Sequence, residues 1–148
     1  MNSVLLKALG PGSIKLQQTC LSWKESFEVA GAALVESNRT TAQYTQEMIQ
    51  AFEDLGPYMV IAPGIALAHA RPSSAVIETG LSLITLATPI EFGSASNDPV
   101  SLVVGLAAVD HDSHIDLMAE LSELLMSNES VTFLTQAVNE SEVRTYLS

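Results

Sequence analysis

The three histidines are the residues of this sequence whose type and position best fit chemistry. His69 lies in the segment ALAHARP, and His111 and His114 lie in HDSH; both segments follow short apolar runs typical of buried strands. Open α/β folds place their sites at the carboxyl ends of strands, so each histidine is a candidate site residue. An imidazole titrates near neutrality and serves as a base, a metal ligand or a nucleophile toward phosphorus. Position alone leaves these three chemistries open.

The spacing of HDSH is compatible with a metal site. On a helix, His111 and His114 stand at i and i+3 with Asp110 or Asp112 beside them, which offers two or three ligands. No HExxH motif and no cysteine ligand accompany this cluster, so metal-dependent hydrolysis is a minor alternative, and neither a metal nor a cofactor is expected. The GxSxG motif and the glycine motifs that bind nucleotides are also absent. A phosphoryl group, if one is used, must come from a protein.

Composition narrows the class of partner. The chain has 148 residues, with 6 Lys and Arg against 17 Asp and Glu, for a formal net charge of −11. This charge argues against nucleic acid and anionic membrane surfaces and favours a basic protein face. Cys20 is the single cysteine, so no intramolecular disulfide is expected and a reducing cytoplasm is the simplest compartment. Neither a secretion signal nor direct membrane insertion is expected, because the apolar runs are too short.

Hydrophobic periodicity predicts helices interleaved with short buried strands. The predicted helices cover about 3–9, 23–37, 41–55 and 111–127, followed by two short ones; the predicted strands cover about 14–18, 58–61, 65–68, 80–87 and 100–109. A capping box at Ser22 and Glu25 starts the second helix, Ser113 or Asp112 is the expected N-cap of the fourth, and Asn139 caps the last. This order predicts one domain over residues 1–148, a three-layer α/β sandwich whose central mixed β-sheet is flanked by helices on both faces.

The stretch GPYMVIAPGIALAHARP resembles the active-site segment of the enzyme IIA domains of the mannitol/fructose class in the bacterial phosphotransferase system, and most of all the ascorbate-type branch. The similarity continues through TGLSLITLATPIEF, NDPVSLVVGLAAVDHDSH and IDLMAELSELL. It implies a cytoplasmic phosphocarrier in sugar uptake. His69 is then the residue that accepts a phosphoryl group from phospho-HPr and passes it to a cysteine of a sugar-specific enzyme IIB, which serves a membrane enzyme IIC. His114 matches the family's second active-site histidine, expected to hydrogen-bond the phosphoryl oxygens.

Three departures from the family pattern bear on this resemblance. The family usually has proline before and glycine after the active histidine, whereas this chain has alanine on both sides of His69. The arginine that many members carry late in the preceding helix is absent from the segment MIQAF, which again indicates the ascorbate-type branch, or else Arg71 as the substitute that offsets the phosphoryl charge. Cys20 lacks the glycine-bearing phosphate loop of an enzyme IIB, so the acceptor must be another chain.

The resemblance also leaves choices open. The apolar residues Ile65, Leu67 and Met118 are expected to form a docking face for HPr and enzyme IIB, or else to be ordinary core. If the fourth helix starts near residue 112, its N-terminal N–H groups face the phosphoryl group. The alternative function is a regulatory module of the same fold, in which phosphorylation of His69 controls a protein partner. The sugar, the phosphorylated nitrogen of His69 and the presence of a homodimer stay undetermined.

Overall fold

A computed structural model of the chain describes residues 3–110, 112 and 114–148. Within this range six α-helices and five β-strands follow one another as α1 Ser3–Ala8, β1 Ile14–Gln18, α2 Trp23–Glu36, α3 Ala42–Leu55, β2 Val60–Ala62, β3 Ile65–His69, β4 Gly80–Ile90, β5 Val100–Ala107, α4 Ile115–Met126, α5 Asn128–Gln136 and α6 Glu140–Leu147. None of the helices in this part of the chain combines the length and the apolar character that crossing a membrane requires.

The five strands form one mixed sheet in the order β1-β4-β5-β3-β2. β1 runs parallel to β4 and β3 runs parallel to β5, whereas β4–β5 and β2–β3 are antiparallel pairs. In the parallel pair, His69 is opposite Leu106 at the carboxyl end of both strands. The predicted mixed sheet is therefore confirmed, and His69 lies at a strand end as expected.

Helices cover both faces of this sheet. Ala66 and Ala68 of β3 join one hydrophobic cluster with residues of α2 and α3, and Ile65 and Leu67 join a second cluster with residues of α1, α4, α5 and α6. The alternation follows from the period of two in a strand, which sends neighbouring side chains to opposite faces. Because both faces are covered, β3 is apolar from Ile65 to Ala68 rather than alternating. The predicted three-layer sandwich is confirmed.

The same alternation shows that, of the two expectations for the apolar residues near the site, ordinary core is confirmed and the docking face is wrong. Ile65 is 3% exposed and Leu67 is 7% exposed, so both belong to the core under α4. Met118 of α4 is partly buried and packs against this cluster. A partner that approaches His69 therefore meets other side chains.

Two predicted helix caps are confirmed. The Ser22 hydroxyl accepts a hydrogen bond from the Glu25 amide at 3.2 Å at the start of α2, and the Asn139 side chain accepts one from the Glu142 amide at 2.9 Å at the start of α6. Each bond satisfies one of the amide groups that a helix leaves unpaired at its first turn.

The chain between α3 and β2 departs from the strand predicted at 58–61. Pro57–Met59 form a 3₁₀ turn, because proline has the backbone angle that the first position of a helical turn requires. β2 is thereby limited to three residues, and it pairs with β3 only at Ile65 and Ala66. The outer edge of β3 is left without a strand partner from Leu67 onward in the described part of the chain.

Candidate functional site

The imidazole of His69 is held by a backbone carbonyl of its own strand. Nδ1 of His69 lies 2.8 Å from the Leu67 oxygen, which is free to accept because β2 pairs with β3 only as far as Ala66. A carbonyl oxygen can only accept, so Nδ1 carries the hydrogen and Nε2 carries the lone pair. The ring of Tyr58 meets the imidazole edge to face, with centroids 5.9 Å apart. The local arrangement thus defines both the tautomer and the orientation of His69.

The three site residues predicted from the sequence line one cleft. His69, Arg71 and His114 share a cleft of about 820 Å³, and Asp110 lies on its wall. They reach it from the end of β3, from the loop after β3 and from the segment between β5 and α4. His111, the remaining histidine of the predicted cluster, lies outside the described residues. The neighbouring ends of parallel strands β3 and β5 are what bring the predicted residues together.

Helix α3 forms the opposite wall of the cleft. Most of its lining residues are amides and carboxylates, namely Gln43, Gln46, Glu47, Gln50 and Asp54, and Leu55 lines the cleft at the end of the helix. Ala51 lies among them and contributes no charge. Arg71 is the one lysine or arginine among the described residues that line the cleft, and its side chain is exposed. Positive charge at this site therefore comes from the loop after His69 and not from α3.

His114 stands at the N-cap position of α4, and its side chain forms no capping bond. The predicted N-cap at Asp112 is wrong, because the Asp112 amide donates to the Asp110 carboxylate at 3.0 Å and the chain bends there before the helix begins. Ser113, the other predicted N-cap, lies outside the described residues. Nδ1 of His114 is buried and has no hydrogen-bond partner among the described residues.

The geometry bears on the metal hypothesis as well. His114 precedes α4, and His111, its partner in the predicted pair, lies outside the described residues. Within residues 3–110, 112 and 114–148, no three side chains of His, Cys, Asp or Glu gather as a metal-binding group would.

The loop that follows His69 is fastened to α3 by side chains whose position in the sequence predicts no role at the site. The Tyr44 hydroxyl accepts from the Ala70 amide at 3.0 Å. One turn further along α3, Glu47 accepts from the Ser73 hydroxyl at 2.6 Å, and Ser73 in turn accepts from the Ala75 amide at 3.1 Å. A tyrosine on an otherwise apolar stripe is the one available signal, since a buried phenol needs a partner.

Solved structures of sugar phosphotransferase components share this fold. The solution structure of the mannitol-specific cryptic phosphotransferase enzyme IIA from Escherichia coli superposes with a TM-score of 0.84 at 32% identity, covering 97% of this chain and 98% of that one. The enzyme IIA of mannitol from the same organism, solved in complex with phosphorylated enzyme IIB, gives a TM-score of 0.80 at 26% identity over 94% of this chain and 96% of that one. The chain therefore has the fold of these enzyme IIA proteins.

The family is shown by sequence. The model described as "Phosphoenolpyruvate-dependent sugar phosphotransferase system, EIIA 2" matches residues 7–148, so the chain belongs to this enzyme IIA family. The ascorbate-specific PTS system EIIA component of Escherichia coli (strain K12) is 36% identical over 132 residues, which are 88% of this chain and 86% of that protein. The resemblance stated from the active-site segment is confirmed.

Proposed function

We propose that this protein is the phosphocarrier of an ascorbate-type uptake system, with His69 as the residue that carries the phosphoryl group. HPr is the donor, and a cysteine of a sugar-specific enzyme IIB is the acceptor, which then serves a membrane enzyme IIC. The observation that carries the proposal is the hydrogen bond from Nδ1 of His69 to Leu67, which leaves the Nε2 lone pair as the nucleophile at the cleft. The substrate class is supported by the name of the Escherichia coli relative. We place the relay in the cytoplasm, where Cys20 stays a thiol.

The proposed transfer consists of two nucleophilic displacements at phosphorus. Nε2 of His69 attacks the phosphorus of phospho-HPr, a P–N bond forms, and the bond from phosphorus to HPr breaks with its electron pair leaving on HPr. The ring then carries positive charge, and the Leu67 carbonyl dipole stabilises it through the Nδ1–H bond. In the second displacement the thiolate of enzyme IIB attacks the same phosphorus, and the P–N electrons return to Nε2. His69 ends each cycle unchanged.

His114 is the proposed hydrogen-bond donor to the phosphoryl oxygens. Its Nδ1 is buried without a partner among the described residues. An N–H at Nδ1 would be an unsatisfied donor, which favours the tautomer with hydrogen on Nε2. That hydrogen is available to an anion in the cleft. Arg71, exposed on the same cleft, offsets the negative charge of the group during transfer.

The docking face is reassigned to the exposed apolar rim of the cleft. Leu55 is 65% exposed and Tyr58 is 52% exposed, and both line the cleft next to His69. With a net charge of −11 on this chain, the fitting partner presents apolar residues surrounded by lysine and arginine. HPr and enzyme IIB use this rim in turn, because both must bring phosphorus to the same nitrogen.

The rim is tested by truncating Leu55. We expect Leu55→Ala to raise the phospho-HPr concentration that gives half-maximal transfer by about 5–30-fold, the range of a moderate interface anchor. Val138 is 74% exposed and does not line the cleft, so Val138→Ala is the matched control and should leave this value unchanged. An equal effect of the two substitutions, or none from either, removes the rim from the docking surface.

The relay itself is tested by incubation with phosphoenolpyruvate, enzyme I and HPr, followed by intact mass measurement. Wild type should gain one acid-labile phosphoryl group, His69→Ala should gain none, and His114→Ala should gain it about 100–1,000-fold more slowly. Addition of enzyme IIB should then remove the group from wild type. A wild type that stays unmodified beside fully phosphorylated HPr refutes the relay. Transfer that stops on His69, with enzyme IIB unable to accept it, would favour the regulatory module instead.

A further inference from the structure

The hydroxyl of Tyr44 lies between the two strands that end at the cleft. It is 2.7 Å from the Leu106 oxygen and 3.0 Å from the Ala70 nitrogen. A carbonyl oxygen accepts and an amide donates, so the hydroxyl donates to Leu106 while it accepts from Ala70. The Ala70 oxygen is a second acceptor at 3.2 Å, but one hydroxyl hydrogen serves one strong bond, and the Leu106 oxygen is nearer.

These two backbone groups flank His69. Ala70 is the residue after it, and Leu106 is the residue opposite it in the last pair between β3 and β5. The phenol oxygen therefore joins the strands at the point where their direct pairing ends. It sets how far apart the chains run as β3 gives way to the loop that carries Arg71.

Packing alone does not account for a tyrosine at this position. The ring of Tyr44 is fully buried in the cluster with Phe27 and Met48, where phenylalanine would fill the same space. A buried hydroxyl is costly unless it is hydrogen-bonded, and both bonds of this one go to backbone atoms beside His69. Burial raises the pKa of Tyr44 to about 12, only partly offset by the backbone bond to Ala70, and the Glu47 carboxylate raises it further. The hydroxyl therefore keeps its hydrogen throughout the physiological pH range.

We propose that Tyr44 is a positioning residue for phosphoryl transfer, which holds the end of β3 at the separation from β5 that directs Nε2 of His69 into the cleft. The inference rests on the proposed role of His69. Tyr44 does not touch the phosphoryl group. Without its hydroxyl, the Ala70 amide and the Leu106 oxygen either stay unpaired or approach until they bond directly at about 2.9 Å. Both outcomes move the residues on either side of the nucleophile.

The test compares Tyr44→Phe with wild type in the transfer assay, at a series of phospho-HPr concentrations. Because misplacing a reacting group by about 1 Å can cost about 100-fold, we expect the maximal rate to fall about 10–100-fold. The half-maximal donor concentration should change less than about twofold, since the docking rim is untouched. Tyr146→Phe is the matched control. The Tyr146 hydroxyl lies 2.9 Å from the Ser130 hydroxyl and does not line the cleft, so its removal should leave the maximal rate unchanged.

Two further measurements separate positioning from general stability. The ¹⁵N shifts of the His69 ring should report the Nδ1–H tautomer in wild type and a mixture of tautomers in Tyr44→Phe. Replacement of Tyr44 by 4-aminophenylalanine, which keeps a donor, should restore most of the rate, whereas 4-methylphenylalanine, which fills the volume without a donor, should not. If Tyr44→Phe does not fold, the comparison of the 4-aminophenylalanine and 4-methylphenylalanine variants replaces it as the test.

The outcomes are distinct from those of the relay experiment. If wild type accepts no phosphate, the relay fails and the role of Tyr44 fails with it. If wild type accepts phosphate and Tyr44→Phe accepts it at the same maximal rate, the relay stands and the positioning role is overturned. The positioning role is also overturned if the amino and methyl variants transfer equally, or if Tyr146→Phe is slowed as much as Tyr44→Phe.

Discussion

The contact between β5 and its neighbours has no room for a side chain at Gly105. This glycine pairs with Ser82 of β4 on one side and Ala68 of β3 on the other. A Cβ atom there would fall well inside the contact distance of the Ser82 hydroxyl and would touch Ala30 and Leu34 of α2 at 3.5 Å. Gly105→Ala is therefore expected to destabilise the fold.

The magnitude follows from what Ser82 must give up. Its side chain is fully buried, and its hydroxyl donates to the Ala30 carbonyl at 2.9 Å, so rotation away from a new methyl group breaks that bond. A buried hydroxyl without a partner costs about 1–3 kcal/mol. Overpacking around the fully buried Ser82, whose displaced hydroxyl must fit elsewhere in the core, adds about 1–3 kcal/mol, and the lower backbone entropy of alanine returns about 0.5–1 kcal/mol. We expect the free energy of unfolding to fall by about 3 kcal/mol.

Guanidinium unfolding followed by the fluorescence of Trp23 measures this change. The midpoint should fall while the slope m stays constant, and the melting temperature should drop by about 6–12 °C. Ser82→Gly removes the side chain that the new methyl group of Gly105→Ala would meet, so the glycine is exchanged from β5 to β4. The double variant should therefore be more stable than the sum of the single changes by about 1–3 kcal/mol. A Gly105→Ala protein within about 0.5 kcal/mol of wild type, or a strictly additive pair, would refute the close-contact reasoning.

Three other predictions concern stability. The folded state keeps the Tyr44 proton up to about pH 12, whereas the unfolded chain loses it near pH 10. This group should therefore leave stability unchanged below pH 10 and lower it by about 3 kcal/mol between pH 10 and 12. Alkaline unfolding of Tyr44→Phe should lack that component. Arg144 donates to two backbone carbonyls of the segment after α1 at 2.8 and 2.9 Å, so Arg144→Ala should lower the free energy of unfolding by about 1–3 kcal/mol. Lys15→Ala breaks only an exposed ion pair and should lower it by less than about 0.5 kcal/mol. Urea unfolding compares the two variants, and equal costs would contradict this ranking. Asn139→Ala removes the cap of α6 and should cost about 1 kcal/mol in the same assay, while an unchanged midpoint would mean that water replaces the cap.

The elements are predictable from local pattern because each apolar stripe has the period of its own secondary structure. Periodicity identifies α2, α3 and the buried strands, and it places His69 at the end of a strand. Which neighbour each face meets is a non-local property, so the sequence pattern leaves Ile65 and Leu67 open between a docking surface and ordinary core, and it takes the fold to place them under α4. A continuous apolar run gives no sign of which of its two faces is covered.

The candidate site is predictable to the same extent. His69, Arg71 and His114 stand out because their residue types are rare in this chain and follow strands. Tyr44 acts through bonds to residues 26 and 62 positions away, and no sequence period encodes such a bond. The predicted start of α4 is misplaced because Asp110 uses its carboxylate to bind the Asp112 amide, which competes with helix initiation.

The imidazole of His69 also covers part of the open edge of β3. Uncovered strand edges are where protein chains pair with one another and aggregate, and the acceptors that such pairing needs are backbone carbonyls. Nδ1 of His69 occupies the carbonyl of Leu67, just beyond the last residue that β2 covers. In the proposed relay the phosphoryl group resides on Nε2, so this protection persists through every turnover. One ring thereby keeps a reactive nitrogen accessible and, with its other nitrogen, blocks an acceptor that intermolecular strand addition would need.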